Sequence, residues 1–170
     1  MTAELLFAYL AGAIIILSVL VITTRNPVHS VLFMLLMFFH IAGLYLTFDA
    51  EFLAAIQVMV YAGAILVLFL FVVLLLNLKE TVAVERFVGP WPLGLSVALA
   101  LFLAMTLSLR SFVLGPQGVY SLELMKAETN TKVLGRVLYT DYLYPFEIVS
   151  LLLLVALIGA IVLAKKRLRS

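Results

Sequence analysis

Gln57, Tyr61 and Gly63 lie within two helical turns of one another in "AIQVMVYAGAILVLFLFVV", residues 55–73. A glutamine amide and a phenol both cost free energy when buried without hydrogen-bond partners, and glycine is the weakest ordinary helix former. Four residues apart on a helix, Gln57 and Tyr61 are expected to share a face, with Ala54 and Ala64 above and below them in one small, polar stripe. The chemistry open to such a cluster is hydrogen bonding, either between the two side chains or to a neighbouring helix. Two further residues invite the same question. His40 is the sole deeply placed titratable group, and Glu147 stands about one turn into a later apolar run, close enough to its end to snorkel. A proton relay through His40 needs a partner, and no carboxylate shares its depth, so the favoured reading is a neutral imidazole bonded to a neighbouring helix. Cysteine is absent, which removes disulfides, thiolate metal sites and iron–sulfur ligation from this chain.

The elements that carry these residues are set by the solvent. Hydrophobic residues make up 66% of the 170-residue chain, and the mean hydropathy is +1.26, far outside the range of water-soluble domains. An all-α integral membrane protein follows, because nothing alternates as barrel strands do. Crossing a hydrocarbon core takes ~20 apolar helical residues, and five such runs are present, about 3–23, 28–48, 52–78, 91–109 and 144–164. The first keeps Glu4 where a signal peptide would be basic, so it is read as a helix. The third has no charge from Phe52 to Leu78 and would be ~40 Å long as a straight helix, which calls for tilt or local distortion in a ~30 Å core. The whole chain, 1–170, reads as a single membrane domain without internal repeats, which disfavours the inverted-repeat transporters.

The basic residues set an orientation. With the amino terminus outside, seven of the eleven, Arg25, Lys79, Arg86, Lys165, Lys166, Arg167 and Arg169, fall in the cytoplasm, and Arg110, Lys126, Lys132 and Arg136 fall outside. Among the connections, "RNP" offers Asn26 as a cap and Pro27 at a first helical position. The longest connection, the outer loop 110–143, contains a short interfacial helix that spaces Val133, Leu134, Val137 and Leu138 along one face. The net charge of +2 is too small, and its basic residues too scattered, to suggest nucleic-acid binding.

Small residues recur where polar ones do not. Ala156, Ala160 and Ala164 follow one another every four residues beside Gly159, and Ala8 with Gly12 does the same on the first helix. Such stripes admit a second helix at close range, from this chain or from another subunit. A transporter that works alone needs ionisable groups near mid-membrane, and these helices hold almost none.

Three stretches together, "NPVHSVLFMLL", "QVMVYAGAILVLFLFVVLLLNL" and "LGRVLYTDYLYPFEIVSLLLLVALIGAIVLA", resemble the J-subunit family of bacterial proton-pumping NADH:quinone oxidoreductase, respiratory complex I, whose mitochondrial counterpart is chain 6. The resemblance covers about residues 25–79 and 134–164, together with the five-helix plan. It implies a π-bulge in the third helix around Tyr61, with Gly63 and Val67 matching the family's gating segment and Gln57 and Leu68 flanking it. It implies a core subunit of the membrane arm that packs against subunits H, A and K, and also N, in the bacterial inner membrane. NADH, FMN, the iron–sulfur clusters and quinone would bind other subunits, leaving no cofactor or catalytic residue here. His40 gains no role from the match. The competing readings are a component of a cation/proton antiporter and a related quinone reductase complex driven by another electron donor.

Overall fold

The computed structural model describes residues 2–76, 91–110 and 128–165. The inner loop expected after the third helix, the first part of the long outer loop and the basic tail from Lys166 onward lie outside the described residues. Six helices are described: α1 (Ala3–Thr23), α2 (Pro27–Thr47), α3 (Glu51–Leu75), α4 (Trp91–Arg110), α5 (Asn130–Tyr139) and α6 (Leu143–Ala164). All except α5 are long and apolar enough to span a membrane. No strand occurs among the described residues.

Local chemistry accounts for the joints. Asn26 caps α2 by accepting the Val28 N–H on its side-chain oxygen at 3.0 Å, and Pro27 starts the helix where an N–H has no partner to lose. At the other end of α2, Tyr45 C=O accepts from the backbone N–H groups of Phe48 and Ala50. Asp49 makes that reversal in the left-handed region, at φ 56°, where a short polar side chain is tolerated. The α3 helix therefore returns antiparallel to α2.

The core is built by α1, α2 and α3. Gly43 of α2 lets α1 approach closely: a Cβ there would meet Leu10 Cδ2 at 3.3 Å. Ser30 of α2 donates to the Val21 carbonyl of α1, satisfying a hydroxyl that lipid cannot solvate. Between α2 and α3, Val31 is 1% exposed and packs with Leu66 and Val73, flanked by Leu35 and Phe38. The interfacial helix expected in the outer loop is α5. It touches the start of α3 on one side and α6 on the other, and Tyr139 meets Phe146 of α6 edge-to-face at 5.0 Å. Among the described residues α4 touches no other helix, and α6 touches only α5.

Candidate functional site

The expected distortion of α3 is a nine-residue π-helix, Gln57–Ile65, set between α-helical Glu51–Ile56 and Leu66–Leu75. At its end the Leu66 N–H reaches back five residues to the Tyr61 carbonyl, which is the π pattern. Burial follows this wider turn. The residues of α3 turned inward are Ala54, Gln57, Ala62, Leu66 and Val73, and the five-residue step from Gln57 to Ala62 replaces the four-residue step of an α-helix.

That step corrects the sequence reading of the polar stripe. Gln57 is 6% exposed and Tyr61 is 45% exposed, and Ala64 is exposed as well, so the stripe Ala54, Gln57, Tyr61, Ala64 does not form. The π turn absorbs one residue and swings Tyr61 outward, where its ring meets Phe38 of α2 edge-to-face at 5.9 Å. The two polar side chains do not bond to each other, and the Gln57 amide makes no side-chain hydrogen bond among the described residues. Its amide atoms are not among the fully enclosed side-chain atoms that lack a partner, so they stay open to a group from outside the described residues.

Gly63, Val67 and Leu68 lie on the outer surface of α3 with Tyr61. A Cβ on Gly63 would stand 3.3 Å from the Val58 carbonyl oxygen, five residues back along the same wide turn. Even alanine there would press on the π backbone. Beyond the Tyr61 ring on Phe38, this surface is exposed among the described residues and small at Gly63 and Ala64, so another helix can come close to it.

His40 binds where the sequence reading placed it, to a neighbouring helix, and to its own. Its Nδ1 lies 2.7 Å from the Leu36 carbonyl, which can only accept, so Nδ1 carries a proton and Nε2 is left for the Tyr9 hydroxyl of α1 at 3.4 Å. Glu147 is exposed on the first turn and a half of α6. Among the described residues the small-residue stripes meet no helix of this chain: Ala8, Ala156 and Ala160 are exposed, and a Cβ on Gly12 or Gly159 would meet nothing within 4 Å. Gly43, which the stripes did not single out, makes the close helix contact. No group of three His, Asp or Glu among the described residues gathers to hold a metal ion.

Comparisons with known proteins agree with this architecture. The family model described as NADH-ubiquinone/plastoquinone oxidoreductase chain 6 matches residues 17–163. The NADH-quinone oxidoreductase subunit J of Rickettsia typhi is 36% identical over 165 residues, covering 95% of this chain and 80% of that protein. Subunit J of Rhodobacter capsulatus is 38% identical over 160 residues, covering 93% and 78%. The NADH-ubiquinone oxidoreductase chain 6 of the alga Cyanidium caldarium is 40% identical over 165 residues, covering 93% and 82%. A membrane protein of five spanning helices whose third is wound in part as a π-helix, matched over most of its length by such relatives, belongs to the NADH-ubiquinone/plastoquinone oxidoreductase chain 6 family, the membrane subunits J of NADH-quinone oxidoreductase.

Proposed function

We propose that this chain is a noncatalytic subunit of the membrane arm that couples quinone reduction to proton translocation through exchange of α3 between its π form and a regular α-helix. The observation that carries the reading is the π-helix itself, Gln57–Ile65, placed mid-span with Gly63, Val67 and Leu68 exposed and Tyr61 half-exposed beside Phe38. Returning the absorbed residue to an α-helix turns everything beyond it by ~100° and shifts it by ~1.5 Å. Events in a neighbouring subunit choose between the two forms by contacting one of them better than the other. The exposed faces of α4, α6 and outer α3 would be covered by subunits H, A and K, and N; flavin, clusters, nucleotide and quinone would sit in other subunits. The amino terminus is assigned to the periplasmic side and the carboxyl terminus to the cytoplasmic side of a bacterial inner membrane.

Deleting Met59 tests the exchange. Met59 is exposed, and its loss shortens the step from Gln57 to Ala62 to four residues, so a plain α-helix keeps Leu66 and Val73 against α2 with no residue left to absorb. The complex should then assemble with its quinone reduction slow or uncoupled from proton movement. Full, coupled turnover in an assembled deletion variant rules the exchange out.

A further inference from the structure

Gly135 has no role in the reading above, and it stands in the middle of α5, a helix of ten residues, where glycine costs about 1 kcal/mol relative to alanine. A Cβ on it would meet nothing within 4 Å. The space over it is a groove of about 320 Å³ bounded by Phe52 of α3 and by Thr131, Leu134, Gly135, Leu138 and Tyr139 of α5, within the ~300–1,000 Å³ of ordinary ligand sites. The α5 residues recur at three- and four-residue steps and so form one continuous wall.

We propose that this groove seats one acyl chain of a zwitterionic membrane phospholipid, with the phosphodiester at Lys132 and the headgroup ammonium toward Glu51. Depth is the first argument. Phe52 is the second residue of α3, and α5 also packs on the opening of α6, so the groove lies at the surface where both spans begin, on the boundary between hydrocarbon and headgroups. Shape is the second, because the groove is apolar along Phe52, Leu134 and Leu138 and becomes polar at Thr131 and Tyr139. Charge is the third. Arg136 faces Glu128 at 2.8 Å, a charge-to-charge contact without a hydrogen-bonding angle, and this leaves Lys132 as the cation beside the groove with no ion pair among the described residues. Glu51 immediately precedes Phe52 on the opposite wall. One sign on each rim suits a headgroup that carries both.

The experiment uses the whole purified complex in nanodiscs that contain phosphatidylethanolamine with a diazirine on one acyl chain. After illumination, labelled peptides are mapped by mass spectrometry against a single-span leucine-rich peptide reconstituted in the same nanodiscs as a control for bulk lipid contact. Residues 131–139 and Phe52 should label well above that control. Gly135→Leu fills the groove and should bring the labelling down to the control level, while Gly135→Ala, which only improves the helix, keeps most of it. Lys132→Gln should lower labelling up to about fivefold, equivalent to the ~1 kcal/mol at the upper end for an exposed charge pair. Equal labelling in the wild type and Gly135→Leu, labelling no higher than the control, or a neighbouring subunit cross-linked in place of lipid each overturn the assignment. Assembly of every variant is verified by its NADH:quinone activity, so loss of that activity is distinguishable from loss of the lipid.

Discussion

Helices α1 to α3 and helices α4 and α6 are similarly oily, yet among the described residues only the first group packs span against span. The contrast shows what lipid does to folding. A helix surrounded by hydrocarbon gains nothing from hiding leucine, so association depends on close approach and on polar groups that need partners. The first three helices have such features in register: Gly43 opposite Leu10, the Ser30 hydroxyl on the Val21 carbonyl, the Tyr61 ring on Phe38. The α6 helix has the small residues Ala156, Gly159 and Ala160 but no helix of this chain to meet them. On the function proposed above, its stripe is one half of a contact whose other half another subunit would supply.

Three substitutions probe this contrast, read as the membrane half-life of the chain made with and without its partner subunits. Gly43→Leu should have the largest effect, since the new side chain enters the space held by Leu10 and overpacking costs up to about 3 kcal/mol; the half-life should shorten in both settings. Tyr9→Phe removes only the 3.4 Å contact with His40, longer than a strong hydrogen bond, and should cost no more than about 0.6 kcal/mol. Ala160→Leu should leave the chain made alone unchanged and shorten its life only when partners are present, because it cannot then be assembled. If Ala160→Leu shortened the life of the chain alone as much as Gly43→Leu does, the separation of α6 from the bundle would be wrong.

Much of this fold is legible in the sequence, because uncharged runs mark the spans and "RNP" marks a capped helix start. The site was legible in composition but not in phase. Periodicity assumes a constant 100° per residue, and a π turn breaks that assumption, so Tyr61 was placed beside Gln57 when Ala62 takes that position. Nothing in a run as uniformly apolar as Leu66–Leu75 resets the phase for a reader. The isolation of α4 and α6 was hidden for a related reason: an apolar helix reads the same whether lipid, this chain or another subunit surrounds it. Gly43 was hidden because a single glycine makes no stripe.

If α3 exchanges forms as proposed, its five-residue step sets the steric cost of turning. Unwinding the π segment to an α-helix moves each inward position back by one residue, so that Ile65 replaces Leu66 and Val72 replaces Val73 against Val31. Leucine for isoleucine and valine for valine conserve volume, the kind of exchange that cores tolerate best. At that end α3 is a key cut alike on two adjacent edges. One level closer to Gln57 the edges differ, because Tyr61 must enter where Ala62 now sits with 4% exposure, and α2 has to yield room for a whole phenol ring. The resistance to turning is therefore concentrated at a single tooth, the one beside Phe38.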